Sequence, residues 1–562
     1  MLAKEGDHFR IKLISGIILG RLPLDNNPIV VHLSGFRILF ILAPEERTTM
    51  PKTPSSKLFH LVKSLSGSEK RYFKIFVNSQ GSRDNKYLQL FDAMDGQEEF
   101  DDEVLKEVVY GEEAIQSRKY SELKAYLYEL ILKSLQSYDE KSSVGHRLKN
   151  MMQGVRVLFR RSLFDDCKDH LVKARKLAYR YEQFNTVLEA LDWEKKIAYA
   201  ETDIDFLDKE LARIAAEENK VLNQLRMISE YRNIFFSLLV SLRKHTVVKR
   251  DEQKQMLQEI IESPLIQEYE RANSHTARVI YHRIYSIYHF AASDQQGFYQ
   301  KNQELIALME SEPHILQEDV SEYISALSNL IRSCGEMGHL EEMEEKLEKL
   351  YSVTPKSLDD ELKIHRQYYQ AKLSLCMLKG AFDEGIRVLN RHLKERKRFE
   401  EGLFESHTFY YIYFYITFGA GEYSRALDFL NQWLNLPSTV ERQDLQSMSR
   451  MLNLMVHYEL GNFELLESLI RSTYRFLKKR NELDDMERKT INLIRKLVET
   501  PSKKMLKEDF KRFKEQFEGL SQQAGTPRLY TNAVVAWFES KIEGRGFSEI
   551  LQKEFKRQFH KD

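Results

Sequence analysis

Three histidines, His275, His282 and His289, recur at heptad intervals, the spacing in this chain that comes nearest to a metal site. On a helix they share one face but stand about 10.5 Å apart along the axis. Zinc requires imidazole nitrogens at about 2.1 Å, so the three cannot share one ion. With Arg278 and Tyr285 they read instead as a half-exposed polar stripe along a groove. Gly419-Ala420-Gly421 begins like a dinucleotide loop, but a third glycine and a preceding strand are missing. Neither a Gly-Lys-Ser/Thr phosphate loop nor a Gly-x-Ser-x-Gly elbow occurs. Acidic pairs such as Glu341-Glu342 and Asp359-Asp360 fall where helices would begin, where they complement the helix dipole. These residues predict no enzyme, no metal and no cofactor.

The remaining unusual stretch is Phe409-Tyr410-Tyr411-Ile412-Tyr413-Phe414-Tyr415-Ile416-Thr417-Phe418. Aromatic and β-branched residues favour strands. Its place before Gly421, in step with the apolar runs before Gly380 and Gly461, predicts a helix buried on most sides. Tyrosines there that point outward would offer rigid contact area with a hydrogen bond, which suits recognition.

A repeat positions these residues. Gly338, Gly380, Gly421 and Gly461 are 42, 41 and 40 residues apart, each between two apolar runs. A period of this size is the mark of a solenoid, whose units bury their apolar faces on their neighbours. Glycine supplies the left-handed backbone that ends one helix, and the acidic or hydroxyl residues nearby start the next. Positions two, five and nine after the glycine (Phe382, Gly385 and Leu389; Tyr423, Ala426 and Leu430) form one helical stripe. Leu163-Phe164-Asp165-Asp166-Cys167 and Asp203-Ile204-Asp205-Phe206 extend the pattern upstream, and Gln296-Gly297-Phe298 predicts a further turn. Between Leu211 and Arg271 the turn motif is lost.

Leu378-Lys379-Gly380-Ala381-Phe382-Asp383-Glu384-Gly385-Ile386 and Gly421-Glu422-Tyr423-Ser424-Arg425-Ala426-Leu427 resemble the middle of a tetratricopeptide repeat. Pro313, Pro355 and Pro437 lie about where that family ends its repeats, and Pro264 implies a turn near His245. The period exceeds the usual 34 residues or so, which predicts long first helices. The resemblance implies that first helices line a concave binding face. That favours Arg278, His282, Tyr285, His407, Tyr411 and Tyr415 as groove residues.

The chain has 562 residues, 30% of them charged, with zero net charge, so no global field recruits nucleic acid or an acidic membrane. Cys167, Cys334 and Cys376 are dispersed and read as buried thiols of a cytoplasmic protein. Residues 1–49 differ in composition, fall short of a membrane span and lack a clear signal peptide; they read as an over-extended start before Met50, with a membrane-associated leader as the alternative. Residues 50–145 form a helical N-terminal module opened by the capping box Ser66-Gly67-Ser68-Glu69. Residues 52–74 are rich in lysine, and the helices at Asp102–Val109 and Ser121–Ser137 allow a helix-turn-helix reading, which Glu122 and Glu129 oppose. Residues 146–525 hold the repeats and residues 526–562 the capping helices.

The expected fold is an all-α superhelical α-solenoid of tetratricopeptide-like hairpins behind a small helical module. The expected function is a non-catalytic scaffold binding a partner protein segment in its groove. The alternative is a DNA-associated regulator whose N-terminal module contacts DNA while the solenoid senses a peptide.

Overall fold

A computed structural model describes residues 29–33, 36–40, 55–79, 86–111, 117–139, 143–244, 257–399, 401–436, 443–479, 507–512 and 528–559, with 491, 495, 514 and 515. The chain divides into two compact units, Met1–Ser142 and Ser143–Asp562. One pair of strands departs from the all-α expectation: β1 (Ile29–Leu33) pairs antiparallel with β2 (Phe36–Phe40), Ile29 opposite Phe40. The other regular elements of the described residues are helices, and none of them is long and apolar enough to cross a membrane. Met50, His245 and Pro437 lie outside the described residues.

The first unit contains α1 (Ser55–Ser64), α2 (Gly67–Ser79), α3 (Lys86–Gly96), α4 (Asp102–Tyr110) and α5 (Ser117–Asp139). The capping box forms as the sequence predicts: Ser66 N–H donates to Glu69 Oε2 at 2.6 Å and Glu69 N–H to Ser66 Oγ at 3.3 Å. α5 buries Tyr120, Leu123, Leu127, Leu130 and Ile131 against Phe73, Leu90 and Phe91.

In the second unit each glycine of the repeat sits between two helices with positive φ: Gly338 at 80°, Gly380 at 64°, Gly421 at 78° and Gly461 at 73°. Only glycine takes this conformation without strain. The turns join α14 (Ser321–Met337) to α15 (Leu340–Ser352), α16 (Leu358–Lys379) to α17 (Phe382–Glu395), α18 (His407–Gly419) to α19 (Tyr423–Leu434), and α20 (Gln443–Glu459) to α21 (Phe463–Lys479). Upstream the same left-handed position falls to Ser162, Glu182, Thr202 and Ser293. These join α6 (Val144–Phe159), α7 (Phe164–Arg180), α8 (Phe184–Glu201) and α9 (Ile204–Lys244), and further on α11 (His275–Ala291) and α12 (Gln295–Ser311), with α10 (Pro264–Gln267) between α9 and α11. The turn expected at Gln296 is therefore at Ser293, because Asp294 caps α12 by accepting from Gly297 N–H at 3.0 Å. α9 is one continuous helix, which explains why the turn motif vanishes after Leu211.

Packing follows the expected stripes. Phe382, Gly385 and Leu389 are buried, and a Cβ on Gly385 would meet Ile416 Cδ1 at 2.7 Å, so α17 approaches α18 too closely for a side chain there. Each first helix packs on its own second helix, and α14, α16, α18 and α20 also pack first helix on first helix. Long first helices are observed only in part. α16 has 22 residues, but α18 has 13. Elsewhere the extra length sits in the connections, as α13 (Pro313–Leu316) and the 3-10 turns Arg396–Arg398 and Glu401–Phe404.

Candidate functional site

α11 organises the first half of the second unit. Ser274 caps it by accepting from Ala277 N–H at 3.1 Å. From the distant turn before α8, Glu182 accepts from the N–H groups of His275 and Thr276, both at 2.7 Å. A carboxylate at a helix N-terminus satisfies orphan donors and meets the positive end of the dipole. Two further contacts join segments remote in sequence: His314 Nε2 donates to the Arg180 carbonyl at 2.8 Å, and Val144 N–H donates to Glu318 Oε2 at 3.0 Å. These contacts bring α6, α7 and the start of α8 back against the segment around α13.

They border a cavity of about 860 Å3. Its walls come from α8, α9, α11, α12 and α14, with α11 contributing Thr276, Val279, Arg283, Ile287 and Phe290. Phe236 and Phe290 line it while remaining 58% and 40% exposed. Three arginines line it, one on each of three helices: Arg232 on α9, Arg283 on α11 and Arg332 on α14. Arg283 stacks over Phe235 at 4.1 Å and pairs with Glu322, and Arg332 stacks over Phe290 at 4.8 Å and pairs with Glu336 at 2.9 Å.

The sequence-predicted residues of α11 lie elsewhere on the helix. Arg278, His282 and Tyr285 are brought together, but away from the cavity lining. Arg278 Nε donates to the Ala272 carbonyl at 3.1 Å, its guanidinium 5.9 Å from the Tyr269 ring, and Tyr269 meets His282 edge-on at 5.9 Å. Tyr285 donates to the Ile266 carbonyl at 3.4 Å. Burial pushes the His282 imidazole below its ordinary value. The heptad histidines have separate surroundings: His282 is 3.4 Å from Glu304, His289 is 2.8 Å from Asp294, and His275 adjoins Glu182 through its own N–H.

The second predicted set, on α18, is covered from within the chain. Here α22 (Arg528–Glu543) and α23 (Phe547–Phe559) form a hairpin that packs into the core of α16, α18 and α20. Phe547 meets Phe382, Tyr415 and Phe418 with ring centroids 5.6–5.9 Å apart. Ser548 Oγ and Gln552 Nε2 donate to the Gly380 carbonyl at 2.9 and 3.0 Å. Tyr411 and Tyr415 are 8% and 4% exposed, and burial raises both phenols well above their ordinary value. His407 Nδ1 accepts from Trp433 Nε1 at 2.8 Å. Tyr411 and Tyr415 are packing residues in this structure, and His407 is half-buried. The core reading of the aromatic stretch is the one the structure displays, since residues 409–419 are all buried.

Sequence reasoning missed a buried polar chain beside them. His365 Nε2 lies 3.1 Å from His392 Nδ1, and His392 Nε2 lies 2.5 Å from Tyr413 Oη. Burial pushes His365 down to about 4, with help from Arg398, and His392 to about 3, with help from His365. Both imidazoles are therefore neutral in the folded protein. The three cysteines are buried, and burial raises the Cys334 and Cys376 thiols to about 12, which leaves them unreactive. Compared with protein-family models and with curated proteins, the chain matches none.

Proposed function

We propose that the second unit is a tetratricopeptide-like helical-repeat array and that the protein is a non-catalytic cytoplasmic scaffold holding a segment of a partner protein. The repeated helix, left-handed turn and helix, with first helices stacked on first helices, supports the array. The cavity of about 860 Å3 carries the functional reading, because its lining keeps large apolar groups, Phe236 and Phe290, in water. Exposed aromatic and arginine side chains at a concave site are the anchors that dominate protein recognition.

The DNA reading gains no such support. Lys70 is paired with Asp95 at 2.6 Å and Lys74 with Asp92 at 2.7 Å, which offsets charge needed for phosphates.

A photo-crosslinking residue at position 236 tests the proposal in native lysate, with position 199 as the exposed control (Tyr199 is 81% exposed). A single protein crosslinked at 236 but not at 199, and lost when Phe290→Asp is added, is the expected result. Equal crosslinking at both positions, or a partner indifferent to Phe290→Asp, would sink it.

A further inference from the structure

We infer that the cavity takes an acidic segment, an extended peptide whose carboxylates meet Arg232 and Arg332 and whose apolar side chains meet Phe236 and Phe290. This rests on the reading of the cavity as a peptide site.

The charges of the lining are unequal in availability. Glu182 is occupied by the His275 and Thr276 N–H groups, Glu318 by Val144 N–H, and Asp319 by Ser321 N–H at 3.1 Å. All three sit at helix starts, where the dipole offsets roughly half a charge. Glu322 is committed to Arg283. The cations are freer. Arg232 is exposed and has no ion-pair partner among the described residues. Arg332 is 57% exposed, and its bond to Glu336 is a surface pair within one helix, of a kind worth at most about 1 kcal/mol.

Stacking on Phe290 holds the Arg332 guanidinium plane, so less freedom is lost when it binds. The guanidinium fork matches carboxylate geometry. With Arg232 on α9 and Arg332 on α14, carboxylates at intervals along an extended chain would be met in turn. A basic segment would face carboxylates that already have donors, and two arginines, Arg232 and Arg332, that repel it.

Three fluorescein-labelled peptides are the probes, with identical leucine and phenylalanine positions and with glutamate, serine or lysine between them. Fluorescence polarisation on the full chain should show the glutamate peptide binding about tenfold tighter than the serine peptide, and the lysine peptide weakest. Arg332→Glu, at an exposed position that leaves the fold intact, should cost the glutamate peptide about tenfold and Arg332→Gln less. Serine or lysine peptides binding as tightly as glutamate, and released by Phe236→Asp, overturn the acidic preference and leave a peptide site standing. Failure of all three peptides to bind overturns the preference and the peptide reading together.

Discussion

The hairpins of the second unit meet two different neighbours. Those before Gly338 border open space, and those after it are filled by the chain's own C-terminal hairpin. The difference is written in side chains. Around the cavity the helices mix Phe236, Val279 and Ile287 with Arg232, Ser325 and Asn329. Under the C-terminal hairpin, residues 409–418 of α18 are apolar or aromatic on every side apart from Thr417, whose hydroxyl donates back to the Tyr413 carbonyl at 2.7 Å. A helix that is apolar all round requires cover all round. The chain supplies that cover with Trp537, Phe547, Ile550 and Leu551, whereas the mixed first half borders the cavity.

The sharpest way to break the comparison is to truncate one large ring in each region. Trp537 is 1% exposed and donates to Glu459 at 2.5 Å, so Trp537→Ala should cost about 3–5 kcal/mol in chemical denaturation. Phe236→Ala should stay within about 0.5 kcal/mol, because the ring already stands in water. Equal losses would mean that the two regions are packed alike.

Acid should separate them next. Unfolded imidazoles take up protons near pH 6.5, whereas His365 and His392 hold out to about 4 and about 3. The folded state thus binds fewer protons in this range, so stability is intact above about pH 6.5 and falls as the pH drops below it. The slope is about 1.4 kcal/mol per pH unit for each histidine. Hydrogen exchange between pH 7 and 5 should show α16–α18 losing protection faster than α11, where burial lowers His275 and His282 less deeply. A flat profile in α16–α18 would show that the pair is hydrated or already charged.

The smallest effect concerns the carboxylate at the start of α11. Glu182→Ala removes an acceptor shared by two N–H groups and should cost about 1–2 kcal/mol, with exchange rising first at His275 and Thr276. Unchanged exchange at those amides would show that water replaces the carboxylate without loss.

The second half was more legible than the first for a physical reason. Glycines mark its turns, and Phe382, Ala426 and Leu430 fall on the stripes that the spacing predicts. In the first half Ser162, Glu182 and Thr202 take the left-handed position, and a polar residue there leaves no signature. Periodicity showed that α11 is a helix, but not which of two half-polar faces would meet open space. Thr276, Val279 and Arg283 took that place, and Arg278, His282 and Tyr285 turned to the connection before the helix. Nor could spacing reveal that Tyr415 lies against Phe547, more than a hundred positions downstream.

The contacts that link α6 and α7 to the segment around α13 also bear on how the molecule assembles. Each hairpin forms from neighbours in the chain, whereas Glu182 finds its amides 93 residues on, Arg180 its imidazole after 134, and Val144 its carboxylate after 174. Loop-closure entropy sets local pairs ahead of distant ones. The hairpins therefore form first, and the wall of the cavity is sealed last, once all the helices between residues 144 and 318 are in place.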